Sequence, residues 1–287
     1  MTTSDTLQNH AVDITLPDTE TLLLAQEDHA LFITLNRPKS RNAMSLLMVQ
    51  ELMSVFEAIQ NNIIVRAVVL RGANGHFCAG GDIKDMVGAR AALGSSASES
   101  SDSDPFYTLN RAFGKMLTLA NQIPQVLIVV TEGAVLGGGF GLVCISDVAL
   151  TSSSAKFGLP ETGLGIPPAQ IAPFVVSRIG LTQARRLALL GVRFNGNDAK
   201  QLGIVHEAHD EIEALNAALE AVLKSVKRCA PQANRTTKSL ILSVGKEPLD
   251  ELLDNAAKSF SNAVQGTEGQ EGTLAFIQKR SPNWYAE

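Results

Sequence analysis

One stretch governs what this chain can become. Val126 to Leu150, VLIVVTEGAVLGGGFGLVCISDVAL, is the most apolar run in the sequence, yet Thr131, Glu132, Ser146, Asp147 and five glycines interrupt it. A bilayer span needs about 20 mostly apolar residues, so the run is read as buried core. It divides into a strand VLIVV, a loop TEGAVLGGG, a helix FGLVCIS and a strand DVALT. Strands alternating with helices place the chain in the α/β class.

The same alternation extends to both sides. TLLLAQE and ALFITL flank Asp28-His29 and read as a β-hairpin. The polar loop LNRPKSRNAMS follows, and Ser45 caps a predicted helix to about Asn61, in which Leu52, Val55, Phe56 and Ile59 form one apolar stripe. The strand IIVRAVVLRG leads into the loop GANGHFCAGGDIKDM, and a helix is predicted around 106–122. AKFGLPETGLGIPP reads as a loop before two helices, the second closed by Gly191. Helices are predicted at 211–228, 231–243, 247–264 and 268–278. The expected organisation is a flexible tail over 1–19, an α/β core over 20–210 and a helical segment over 211–287. The Ser/Asp-rich run 93–105, LGSSASESSDSDP, cannot bury apolar area. It is read as a mobile loop, either a lid near a site or a surface insert.

Composition limits the function classes. With 45 % apolar and 18 % charged residues over 287, the chain can bury a core without disulfides or structural metals. A net charge of −5 provides no basic surplus, so nucleic acid is not an expected partner. Cys78, Cys144 and Cys229 are odd in number and lack ligand spacing, which fits a reducing compartment. The first twenty residues are polar, with no apolar targeting region, so a cytoplasmic protein without a membrane partner is expected.

Three loops carry candidate chemistry. Phe77-Cys78-Ala79-Gly80-Gly81-Asp82 and Leu136-Gly137-Gly138-Gly139-Phe140-Gly141 both lie between a strand and a helix. Glycines expose backbone N–H groups, and two such loops can aim two donors at one oxygen as an oxyanion hole. Alternatively they serve only tight turns and close packing. Neither has the spacing of a dinucleotide or phosphate loop. In the third, GLPETG, Glu161 lies between Pro160 and Gly163 and is either a partly buried acid–base or a surface-turn carboxylate. Glu132 is expected to accept backbone N–H bonds, and His76 to be a solvated loop residue. No G-x-S-x-G elbow is present.

Taken in order, Asn36-Arg37-Pro38 with Asn42-Ala43-Met44, Phe77 to Asp82, Gly133 to Gly139, Pro160-Glu161 and Phe276-Ile277-Gln278-Lys279-Arg280 resemble the crotonase (enoyl-CoA hydratase/isomerase) superfamily over about residues 20–280. The resemblance implies a spiral of ββα units with a C-terminal helical trimerisation segment, as a homotrimer or dimer of trimers. It implies an acyl-CoA substrate, with coenzyme A entering as part of the thioester and no separate cofactor or metal. By the same resemblance, the N–H groups of Gly81 and Gly138 hold the thioester oxygen and Glu161 is the acid–base. Asn42, Ala43, Ala79, Phe276 and Lys279 lie along the CoA. The usual hydratase has a further glutamate two residues after the glycine triplet, where this chain has Gly141. That glycine is expected to leave room for a 3-branch and to remove one negative charge near a substrate's own distal carboxylate. Within the superfamily, EGAVLGGGFGLVCISDVAL, the FGLPETGLGIPP region and EGTLAFIQKRSPNW are most similar to the isohexenylglutaconyl-CoA hydratases of acyclic terpene catabolism. Methylglutaconyl-CoA or general enoyl-CoA hydratase, enoyl-CoA isomerase, acyl-CoA hydrolase and a silent scaffold are the alternatives. Lys84, Arg90 and Arg111 are the cations near the expected pocket.

Overall fold

The computed structural model describes residues 14–82, 84–85, 87–88 and 104–285. Most of the 93–105 run and the first thirteen residues of the expected tail lie outside the described residues. Residues 14–19 are not a loose tail: Ile14 and Leu16 are apolar enough to pack, partly buried, against the core.

β1 (Leu22–Glu27) and β2 (Ala30–Leu35) form the expected hairpin, with Glu27 opposite Ala30. α1 (Leu46–Ile59) starts where the Ser45 side chain accepts the Met48 N–H and buries Leu52, Val55, Phe56 and Ile59. β3 (Ala67–Gly72) follows. α2 (Pro105–Gln122) is capped by Asp104, whose carboxylate accepts the Phe106 N–H at 2.8 Å. Then come β4 (Val126–Thr131), β5 (Ala134–Leu136), α3 (Gly138–Cys144), β6 (Val148–Ser152) and β7 (Lys156–Gly158). A 3₁₀ turn over Glu161–Leu164 precedes the two predicted helices, which follow each other across a kink and are labelled together α4 (Ala172–Leu190). Gly180 breaks it with a φ of 75°, and Gly191 ends it in the left-handed region. β8 (Arg193–Asn195), α5 (Gly196–Gln201) and β9 (Glu207–His209) lead to α6 (Ile212–Arg228), α7 (Pro231–Ser243), α8 (Leu249–Gln265) and α9 (Thr267–Ile277).

A six-stranded sheet runs β1-β2-β3-β4-β6-β9, parallel except for the hairpin, and a three-stranded sheet runs β5-β7-β8. Two successive passages, β4–β5–α3 and β6–β7–α4, each place one strand in the large sheet, one in the small sheet and then a helix. This is the expected ββα spiral. Alternating side chains cover both faces of the large sheet. Val68, Leu70, Leu127 and Val129 join the main core with α1 and α2, while Ala67, Val69, Ile128 and Val130 pack under Leu215, Leu219 and Val226 of α6.

The C-terminal helices dock through buried polar groups. Lys238 Nζ on α7 donates to Asp147 Oδ2 at 2.6 Å and to the Gln125 carbonyl at 2.9 Å, and that carboxylate also accepts the Leu127 N–H. Arg66 donates to the carbonyls of Val226, Lys227, Cys229 and Trp284. α8 and α9 nevertheless expose Leu253, Phe260, Phe276 and Ile277. Among the described residues, no helix is long and apolar enough to cross a membrane.

Candidate active site

The two glycine loops lie side by side. Cys78 and Val135 form a parallel bridge, in which the Cys78 N–H donates to the Ala134 carbonyl and the Leu136 N–H to the Cys78 carbonyl, at 2.8 and 2.9 Å. Beyond the bridge the two loops stay close: Gly80 Cα lies 3.6 Å from the point a Cβ on Gly137 would occupy. Gly80 turns the chain with a φ of 102°, open to glycine but strained for other residues. Beyond it, the Met44 N–H donates to the Gly80 carbonyl and the Asp82 N–H to the Met44 carbonyl. Both flanking groups therefore face Met44, and the Gly81 N–H faces away from it. Gly138 is the first residue of α3, where N–H groups have no partner within the helix. Among the described residues neither N–H has an acceptor.

Glu161 completes the cluster. Its Oε1 lies 2.6 Å from the point a Cβ on Gly137 would occupy, and Gly80 Cα lies 3.6 Å from the same point. Only a bare backbone at 137 admits the carboxylate there, and Gly137 also has a φ of 48°. Glu161 Oε2 is buried and has no hydrogen-bond partner among the described residues. Burial holds the carboxyl above the ordinary 4.5, against the opposing pull of its own backbone N–H. Two backbone donors without acceptors and one carboxylate whose charge is poorly solvated thus lie in loops that meet at Gly80 and Gly137. The Cys78 thiol in the same loop is no nucleophile, because burial pushes it up to about 11.

Side chains from α2 and the start of α4 wall the site. A Cβ on Gly138 would lie 3.2 Å from the Phe113 ring. A Cβ on Gly141 would lie 3.3 Å from both Ile171 Cγ1 and Cγ2 and 3.5 Å from Leu117 Cδ1. The room expected beside Gly141 is therefore not open space, because buried Ile171 and Leu117 already fill it with hydrocarbon.

An ion pair braces the first loop. Arg37 Nη2 donates to Asp82 Oδ2 at 2.5 Å, and Nη1 donates to the Ala43 carbonyl, which ties both chains flanking Gly81. Burial, the largest influence, pushes the Asp82 carboxyl up. The Lys84 N–H and the Arg37 guanidinium outweigh it and hold the group below its ordinary 3.8.

Asn42, expected beside the CoA, is fully buried. Its Oδ1 accepts the Arg37 N–H, and its Nδ2 donates to the carbonyls of Ala73 and His76. With both side-chain donors used, this residue shapes the loop rather than meeting a ligand through its side chain. Ala43 is nearly buried, and the Ala79 N–H is spent on the Arg41 carbonyl at 3.0 Å. Phe276 and Lys279 lie at the end of α9; Phe276 is 85 % exposed. His76 is half-buried, not solvated, and its Nδ1 accepts the Ala134 N–H across the two loops. Glu132 faces Arg71 at 3.5 Å, while its carbonyl, not its carboxylate, takes the Phe77 N–H. Phe113 and Ile171 carried no motif signal and emerge only from their tertiary neighbours, as does the particular part that Gly137 plays within its glycine loop.

Comparison with known proteins identifies the family and agrees with the fold. The enoyl-CoA hydratase/isomerase family profile matches residues 26–287. The 2,3-dehydroadipyl-CoA hydratase of Escherichia coli is 27 % identical, over 92 % of this chain and 98 % of that protein. The short-chain-enoyl-CoA hydratase of Clostridium acetobutylicum is 29 % identical, over 90 % and 95 %. Among solved structures, Pseudomonas aeruginosa AtuE superposes with a TM-score of 0.89 at 58 % identity, covering 93 % of this chain and all of that one. An enoyl-CoA hydratase/isomerase from Marinobacter aquaeolei does so with 0.89 at 56 %, covering 93 % and 99 %. With fold and sequence in accord, this chain belongs to the enoyl-CoA hydratase/isomerase family and is an enoyl-CoA hydratase-type enzyme.

Proposed function

We propose that the protein adds water across the C2=C3 bond of a 3-branched glutaconyl-CoA, with isohexenylglutaconyl-CoA as the favoured substrate. The observation that carries this reading is Glu161 Oε2, buried without a partner beside two unused backbone donors. The ionised carboxylate takes a proton from water as the water oxygen bonds to C3. The C2=C3 pair moves toward the thioester, whose oxygen becomes an enolate between the N–H groups of Gly81 and Gly138. The enolate then collapses, and C2 takes the proton from the Glu161 carboxyl or through a second water. One carboxylate suffices because both added pieces come from one water.

The finer specificity rests on three supports. The resembling motifs belong to that substrate group. Position 141 has no second carboxylate to repel the acyl chain's own distal carboxylate. Identity to AtuE and its Marinobacter counterpart is about twice that to the general hydratases above. Isomerisation is the second reading, since a single base also moves a proton between C2 and C4. The apolar faces of α8 and α9, with Phe260 72 % and Phe276 85 % exposed, support assembly into a trimer or dimer of trimers.

Incubation with isohexenylglutaconyl-CoA, 3-methylglutaconyl-CoA and crotonyl-CoA, followed by mass spectrometry, tests the reading. Gain of one water with the branched acids preferred supports it. An unchanged mass with a shifted double bond means isomerisation, and free CoA means hydrolysis. No change with any thioester means a silent scaffold.

A further inference from the structure

We infer that Arg111, together with Gln170 and Asn110, binds the distal carboxylate of a dicarboxylic acyl chain; the inference deepens, and rests on, the glutaconyl-CoA reading above. α2 lies along the reacting loops. Its Phe113 meets Gly138, and its Leu117 meets the space beside Gly141. Gly114 follows Phe113 on the adjoining side of the helix, and Arg111 is one turn toward the N-terminus from it. A Cβ on Gly114 would lie 1.8 Å from Gln170 Oε1 and 3.0 Å from Arg111 Nη1. The missing side chain thus lets a guanidinium and a carboxamide settle together over bare backbone. Gln170 Nε2 donates to Asn110 Oδ1 at 3.0 Å, which steadies the group. Gln170 also directly precedes Ile171, the residue that covers Gly141. The wall therefore passes, within two helical turns, from hydrocarbon beside Gly138 and Gly141 to a cation beside the Gln170 carboxamide.

The charge at Arg111 is not spent elsewhere in the described structure. The side chain is half-buried, and among the described residues it has no acidic group within 4 Å. Lys84, in contrast, is exposed and its charge acts on Asp82. Arg90 lies outside the described residues. A guanidinium presents a planar fork of donors that fits a carboxylate, and a half-buried cation without an anion gains by receiving one. The ligand class is a short acyl-CoA carrying a terminal carboxylate.

Glutaryl-CoA and butyryl-CoA differ by that carboxylate, and neither can be hydrated, so they test recognition apart from chemistry. Titration calorimetry on the wild type should show glutaryl-CoA binding about 10- to 100-fold tighter, the range of a charge-assisted hydrogen bond. Arg111→Met should bring the ratio of the two dissociation constants close to one. Arg111→Lys should keep part of it, because the charge remains and the fork does not. Equal wild-type affinities, or an undiminished ratio in a folded Arg111→Met chain, overturn the inference. If Arg111→Met fails to fold, the wild-type ratio and Arg111→Lys still decide. Failure of the hydratase reading shows up differently, as no hydration of 3-methylglutaconyl-CoA while the binding ratio persists.

Discussion

Replacing Gly141 with glutamate puts a carboxylate where the protein holds packed hydrocarbon. The new Cβ would sit 3.3 Å from Ile171 Cγ1 and Cγ2 and 3.5 Å from Leu117 Cδ1, and both neighbours are at most 5 % exposed. A Cβ alone asks Ile171 to give by a few tenths of an ångström, but the rest of the side chain has no space. Overpacking a filled core costs about 1–3 kcal/mol. Burying an unpaired carboxyl among Ile and Leu adds to that, because it must be held neutral or unsolvated. Gly141→Glu should therefore lose about 2–4 kcal/mol of stability. Ile171→Ala should lose about 2–5 kcal/mol by opening a void. In the double variant the glutamate enters that void, so the losses should fall short of additivity by about 1–3 kcal/mol. Urea unfolding of the four proteins measures the cycle, and kcat/KM on a branched enoyl-CoA is followed alongside. Gly141→Glu should lower kcat/KM rather than restore a two-carboxylate site. Wild-type stability in Gly141→Glu, or strictly additive losses, would refute the argument that Ile171 and Leu117 fill this place.

Three further outcomes follow from the same geometry. Gly138→Pro removes an N–H at the first helical position, which the helix itself does not use, and kcat should fall about 100- to 1,000-fold; an unchanged kcat in the folded variant would make Gly138 a turn residue only. Because burial raises the Glu161 carboxyl above 4.5, the native state holds that proton more tightly than the unfolded chain, so its ionisation costs stability as pH rises from 4.5 through the native value. Glu161→Gln should then exceed wild type in thermal midpoint at pH 7 by more than at pH 4, and a gap that does not narrow on acidification would contradict this. Light scattering should give three or six times the 30.5 kDa chain mass, whereas a strict monomer at micromolar concentration would remove the assembly proposal.

Local signals explain what the sequence made legible. The Ser45 cap, the stripe through Leu52, Val55, Phe56 and Ile59, and the long amphipathic helices after residue 211 each contain their own evidence within a few turns. β5, β7, β8 and β9 do not. Each is three residues long, too short for alternation, and β5 sits inside what reads as a glycine loop. Its pairing with Lys156–Gly158 and the bridge from Val135 to Cys78 come from partners distant in sequence. The site divides the same way. Gly81, Gly138 and Glu161 lie in ordered motifs that the sequence displays. That Gly137 exists to admit Glu161, and that Gly141 faces Ile171 rather than open space, depends on neighbours at least 24 residues away along the chain, which no local pattern encodes. Asn42 shows the same limit, since a polar residue in a motif loop reads as a ligand contact until its three hydrogen bonds are found inside the protein.

The account stands on Glu161 as the one acid–base of the site. Glu161→Gln keeps the shape of the side chain and removes its basicity. Steady-state hydration of a 3-branched glutaconyl-CoA, read by the gain of one water, should lose at least about 100-fold in kcat with near-normal KM. Hydration by Glu161→Gln at close to the wild-type rate would contradict the account.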